Sequence, residues 1–176
     1  GFRNSCAVTT AGAVVCWGET AQGVTNIPVA AQSGIAYVTA GGYHACALST
    51  GGALTCWGNN EWGQITIPVD AQTNVAQVSA GQAWTCAIST TGVLRCWGYD
   101  EGGGYIAVPP AAQTGMAQAD AGLYHSCAVS SAGGVTCWGD FFSGYATPLA
   151  AQSGIASVSA GGTHACAVST SGALTC

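Results

Sequence analysis

The chain has 176 residues, ten of them cysteine; only 5% carry charge, two basic against seven acidic, for a net charge of −5. Arg3 and Arg95 cannot neutralise a series of phosphates, which excludes nucleic acid as a partner. Gly, Ser, Thr or Gln interrupts every apolar run short of the roughly 18 residues that span a bilayer, so no membrane insertion is expected, and the apolar surface behind a positive mean hydropathy must be hidden by packing or assembly.

Cys6 and Cys16 open the chain, and Trp17-Gly18 follows the second of them. A polar segment ending at Pro28 reads as an exposed loop, Ala31-Gln32-Ser33-Gly34 as a turn of small residues, and residues 35–39 as a short strand. The fullest copy of the pattern comes next. Residues 43–49 form an apolar strand, Thr50-Gly51-Gly52 a turn in which glycine supplies a positive φ, and residues 53–57 the returning strand. Cys46 and Cys56 lie symmetrically about Gly51, so the hairpin sets them opposite each other. Side chains alternate along a strand, putting His44, Cys46 and Leu48 on one face and Tyr43, Ala45 and Ala47 on the other. Both faces are largely apolar and must both be covered.

The succession then repeats. Trp57-Gly58 leads through a loop to Pro68, a turn at Ala71-Gln72-Thr73-Asn74 and a strand at 75–79; Cys86, Cys96 and Trp97-Gly98 lead to Pro109-Pro110; Cys127, Cys137 and Trp138-Gly139 lead to Pro148; Cys166 and Cys176 come last. Units begin at Gly1, Gly41, Gly81, Gly122 and Gly161. They form a single repeat array over 1–176, with units 1–40, 41–80, 81–121 and 122–160 and a partial unit 161–176, about 4.4 units in all. No segment has helical periodicity with caps, so the fold class is all-β, a repeat array of about three strands per unit, or four. Five cysteine separations of ten, each across a hairpin turn, predict the disulfides Cys6–Cys16, Cys46–Cys56, Cys86–Cys96, Cys127–Cys137 and Cys166–Cys176. Each is worth roughly 3 kcal/mol in the chain-entropy model and persists only in oxidising surroundings, which points to a secreted, extracellular protein or another oxidising compartment.

Val78-Ser79-Ala80-Gly81, Ala40-Gly41-Gly42-Tyr43-His44-Ala45-Cys46-Ala47-Leu48 and Cys56-Trp57-Gly58-Asn59-Asn60-Glu61-Trp62-Gly63-Gln64 resemble the regulator of chromosome condensation repeat. Its pattern is V-x-A-G-x-x-H-x-x-A-L, then G-x-V-x-x-W-G-x-N-x-x-G-Q. The resemblance recurs in register over the whole chain and implies a β-propeller, usually seven blades closed into a ring. Here the number departs, so the expectation is a β-propeller or propeller-like solenoid completed by oligomerisation or by sequence beyond this segment. The first hairpin has no preceding strand and the last unit stops before Trp-Gly, so an isolated open-ended monomer is not expected to be stable. The family's nucleotide exchange on a small GTPase and its nucleosome binding belong to another compartment than these bridges and this shortage of basic residues indicate. Its secreted bacterial β-lactamase inhibitors imply a soluble binder.

His44, His125 and His164 occupy the fourth position of their units, where Asn4 and Trp84 stand in two others, and read as hydrogen-bond donors to backbone carbonyls rather than zinc ligands. With no G-x-S-x-G, Walker or H-E-x-x-H motif and every cysteine paired, no catalytic residue, metal or cofactor is expected. Glu19, Glu61, Asp70, Asp100, Glu101, Asp120 and Asp140 read as solvated loop charges, and Trp17, Trp57, Trp97 and Trp138 as packing between blades. The loops after Trp-Gly vary most. They carry the candidate protein-binding residues Trp62, Tyr99, Tyr105, Phe141, Phe142 and Tyr145, because aromatics on the loops of a rigid scaffold are the usual anchors of recognition. The expected function is a non-enzymatic extracellular structural and protein-interaction scaffold, self-assembling into a multimer or fibre, with copies of itself or another extracellular protein as partner. The alternative is a soluble secreted protein binder or enzyme inhibitor.

Overall fold

The computed structural model describes residues 1–100, 102, 104–139 and 153–176. Its strands are β1 (Asn4–Val8), β2 (Val14–Gly18), β3 (Ile35–Ala40), β4 (His44–Ser49), β5 (Leu54–Gly58), β6 (Val75–Ala80), β7 (Trp84–Ser89), β8 (Leu94–Gly98), β9 (Met116–Ala121), β10 (His125–Ser130), β11 (Val135–Gly139), β12 (Ile155–Ala160), β13 (Ala165–Ser169) and β14 (Leu174–Thr175). They make one two-stranded sheet, β1-β2, and four three-stranded antiparallel sheets, β3-β4-β5, β6-β7-β8, β9-β10-β11 and β12-β13-β14. The architecture is all-β, a partial propeller in which each sheet is a blade.

The hairpins form because their turns force an odd register. In the second blade the Ser49 N–H donates to the Ala53 carbonyl, the Gly52 N–H to the Ser49 carbonyl, and the Ala53 N–H to Ser49 Oγ. Gly52 has φ +78°, a left-handed conformation that closes a three-residue loop at little cost for glycine. Gly51 is therefore the midpoint, and Cys46 lies directly opposite Cys56. Disulfides join Cys6 to Cys16, Cys46 to Cys56, Cys86 to Cys96, Cys127 to Cys137 and Cys166 to Cys176, with Cα atoms 4.0–4.1 Å apart.

The blades are phased ahead of the repeat units. The strand before each Ala-Gly step pairs with the hairpin that follows it, Ala40 opposite Ala45 and Ala80 opposite Thr85. A tight corner makes this possible, since the Gly41 N–H donates to the His44 carbonyl at 2.8 Å and the Gly81 N–H to the Trp84 carbonyl at 2.9 Å.

Each core cluster lies between two blades. Cys46, Leu48 and Leu54 of the second blade meet Val78, Ala87 and Trp97 of the third, and Cys86, Ile88 and Leu94 of the third meet Ala119, Ala128 and Trp138 of the fourth. Trp57 closes the first interface against Cys6 and Cys16. So the disulfide-bearing face of one blade is covered by the tryptophan face of the next, and Trp57, Trp97 and Trp138 are buried while Trp17, which no described blade covers, is 55% exposed.

At the axis the blades are joined by backbone. The Phe2 N–H donates to the Gly41 carbonyl, Gly42 to Gly81, Gln82 to Gly122 and Leu123 to Gly161, at 3.0–3.3 Å. This approach requires glycine, because a Cβ on Gly41 would run into the Gly81 carbonyl and lie 2.8 Å from His44 Nδ1. Gly41→Ala is therefore expected to lower stability by about 1–3 kcal/mol, whereas Gly51→Ala, whose Cβ would meet nothing nearer than Ser49 Oγ at 3.8 Å, should cost nothing. Chemical denaturation of the two variants checks this; equal effects would contradict the axial packing.

Candidate protein-binding site

The first three variable loops each leave their blade at a glycine and are caught again by the next blade. The Glu19, Asn59 and Tyr99 N–H groups donate back to the carbonyls of Arg3, Tyr43 and Ala83, turning the chain out of the sheet. Further on, the carbonyls of Val24, Gln64 and Tyr105 accept the indole N–H of Trp57, Trp97 and Trp138 at 2.7, 3.0 and 3.0 Å. The anchor residue follows a glycine at positive φ each time, Gly23, Gly63 and Gly104.

The second-blade loop is the most firmly braced. Gln64 is 1% exposed; its Nε2 donates to Asn59 Oδ1 at 2.7 Å and its Oε1 accepts the Trp62 N–H at 2.9 Å. Asn59 Nδ2 reaches the first-blade loop at Gln22 Oε1, and Asn60 Oδ1 accepts the Ile65 N–H. Trp62 is thus carried on a fixed backbone with its side chain 41% exposed. Its ring meets Tyr99 of the third-blade loop at 4.8 Å and 74°; Tyr99 stacks on Tyr105 at 5.7 Å, and Tyr105 on Trp84 at 4.7 Å. Four rings run in series from surface to core.

Of the candidate binding residues, the structure brings together the exposed Trp62 and the half-buried Tyr99. Tyr105 is buried, because it holds the anchor position that Val24 and Gln64 hold in the loops before it. Phe141, Phe142 and Tyr145 lie outside the described residues, as do Glu101 and Asp140.

The fourth-position residues of the units reach toward the next blade. Thr85 Oγ1 donates to the Gln64 carbonyl at 2.8 Å, so it accepts from His44 Nε2 at 2.9 Å, which makes His44 a neutral Nε2–H imidazole. Its buried Nδ1 has no partner and lies under Gly41. Burial pulls the ring down from 6.5 to about 4. Trp84 Nε1 donates to Ser126 Oγ and Asn4 Nδ2 to the Gly42 carbonyl. His44 thus departs from the expected carbonyl acceptor and uses a hydroxyl. Among the described residues no three His, Cys, Asp or Glu side chains gather as a metal site.

Asp120 was expected in a loop but stands on β9. It accepts from Ser79 Oγ at 2.7 Å, Ser159 Oγ at 3.1 Å and the Ala160 N–H at 2.8 Å, tying three innermost strands together. The correspondence of residues 116–121 with the strands Ile35–Ala40 and Val75–Ala80, which sets Asp120 at the position of Thr39 and Ser79, is the signal that would have placed it. Glu19 and Asp70 lie at the surface, paired with Arg3 at 3.4 Å and Arg95 at 3.0 Å.

Residues 35–64 match the family model "Regulator of chromosome condensation (RCC1) repeat", a span that begins at β3 and ends at Gln64, in phase with the blade. The chain also superposes on solved propellers. One is the CRINKLY WD40 ectodomain of the Arabidopsis thaliana receptor kinase ACR4, at 26% identity and TM-score 0.70, covering 94% of this chain and 61% of that one. Another is the ectodomain of the Physcomitrella patens receptor kinase CR4, at 24% identity and TM-score 0.70, covering 95% and 47%. Prp20p of Saccharomyces cerevisiae matches at 19% identity and TM-score 0.71, covering 91% and 52%. The fold is that of a partial β-propeller, and the repeat match lies on its second blade and the loop that follows. The chain spans about half to three-fifths of the length of these structures; no curated protein matches it in sequence.

His44 sets a pH dependence. The folded ring stays neutral to about pH 4 while the unfolded ring protonates near 6.5, so unfolding takes up a proton between those values. Its contribution is fully present above pH 6.5 and is lost as pH falls toward 4, by up to about 3 kcal/mol. His44→Asn, the residue unit one carries, is expected to flatten that slope in unfolding experiments from pH 7 to 4, and an unchanged slope would contradict the assignment.

Proposed function

We propose that this chain is an extracellular, non-enzymatic scaffold, one repeat array over its whole length, that binds protein through the loops after each Trp-Gly, with Trp62 and Tyr99 as anchors. The carrying observation is the Trp62–Tyr99 pair, an exposed indole set against a tyrosine ring at 4.8 Å on a loop whose backbone is already fixed. Rings that lose little freedom on binding concentrate interface energy. Phe141, Phe142 and Tyr145, on the corresponding loop of the fourth blade, join the proposal on sequence grounds. Five disulfides and the likeness to two receptor-kinase ectodomains support an oxidising, extracellular location. The Prp20p structure is described with its binding to Gsp1p and histones, which supports protein partners for this architecture in general.

Copies of this chain are the second kind of partner. Trp17 and Val15 stand exposed on β2, on the face that a preceding blade covers at Trp57, Trp97 and Trp138, so docking of another copy there would build a multimer or fibre. Light scattering of the unaltered chain against Trp17→Glu reads this directly. The expected result is association abolished by the substitution, and a monodisperse monomer at every concentration before substitution would contradict it. For the loops, Trp62→Ala with Tyr99→Ala is expected to reduce partner capture from native extracellular fluid at least about tenfold with an unchanged circular dichroism spectrum. Equal capture by the variant would overturn the reading.

A further inference from the structure

We infer that the Trp62–Tyr99 surface receives a cationic side chain, an arginine or lysine on a basic loop of a protein partner. This rests on the reading of that surface as the binding site. The two rings meet at 74°, forming the walls of a corner rather than a flat stack, and Tyr99 is backed by Tyr105 at 5.7 Å. Aromatic faces attract cations through their quadrupole, tryptophan most strongly.

The charges around the corner have the complementary sign and no internal partner. Glu61, next to Trp62, is exposed; its N–H is bonded to Asn59 Oδ1 at 3.0 Å, while its carboxylate pairs with nothing among the described residues. Asp100, next to Tyr99, turns a carboxylate oxygen away from solvent, with no hydrogen-bond partner there. The chain has no cation left to satisfy them, because its only two basic residues, Arg3 and Arg95, are paired with Glu19 and Asp70. An apolar occupant would cover Glu61 at the cost of desolvating its charge. An arginine or lysine would supply a donor to Glu61 and lay its charge against the rings. A net charge of −5 also draws a basic partner in at long range.

The test is calorimetric titration of the unaltered protein with a peptide alternating glycine and arginine, and with the same peptide carrying citrulline in place of arginine. The arginine peptide is expected to bind at least about threefold more tightly than its neutral isostere. Trp62→Ala, which leaves net charge unchanged, should remove that preference, and Glu61→Gln should weaken it. Equal binding of the two peptides, no binding of either, or an arginine preference that survives Trp62→Ala through diffuse attraction would each overturn the inference. In those cases the binding-site reading is judged separately, because capture of the native partner would still depend on Trp62 and Tyr99 if that reading holds.

Discussion

One contact, made three times, holds the molecule together: the indole of the Cys-Trp-Gly tryptophan lies over the bridged strands of the preceding blade and donates its N–H to a loop carbonyl there. Each blade is small and apolar on both faces, so it gains stability chiefly from its neighbours, as in other quasi-one-dimensional repeats. The disulfides complement this by holding each hairpin in register, and the glycine carbonyl ladder at the axis sets how near successive blades approach. With the strands buried on both sides, charge is confined largely to loops and caps, which accounts for a chain only 5% charged.

The same contact places the recognition loops. A tryptophan from the next blade catches each of the first three loops at the residue after a left-handed glycine, so the stretch between can change without disturbing the sheet. In the second blade that stretch is braced by Asn59, Asn60 and Gln64, and Trp62 is offered on it as a rigid group. Because the catching residue belongs to the neighbouring blade, adjacent loops are brought side by side, and Trp62 meets Tyr99 across two units.

Much of this was legible in the sequence. The symmetric placement of cysteines about Gly51 specifies the hairpin register, and a tryptophan recurring once per unit specifies packing between blades. Strand phase was less visible: residues 35–40 suit a strand equally well beside either hairpin, and the choice is made by the corner at Gly41, where the N–H turns back to His44. Tyr99 and Tyr105 look alike as loop aromatics, yet Tyr99 is half-buried beside the exposed Trp62 and Tyr105 lies in the core. The recurrence of Gly23-Val24, Gly63-Gln64 and Gly104-Tyr105 carried that distinction, obscured by the different loop lengths. Asp120 was misread because a carboxylate on an innermost strand is costly unless hydrogen-bonded, and its donors Ser79 and Ser159 come from units on either side.

Hydrogen exchange in Trp97→Phe tests most directly whether the indole N–H of one blade positions the binding loop of the blade before it. The substitution keeps a smaller aromatic ring in the interface and removes the indole donor to the Gln64 carbonyl, leaving Thr85 Oγ1 as its remaining donor; the lost bond is worth about 1 kcal/mol net. Amides of residues 59–66 should then exchange about fivefold faster, while those of β7 and β10 keep their protection. Unchanged exchange in 59–66, or a uniform loss across all blades, would contradict that dependence.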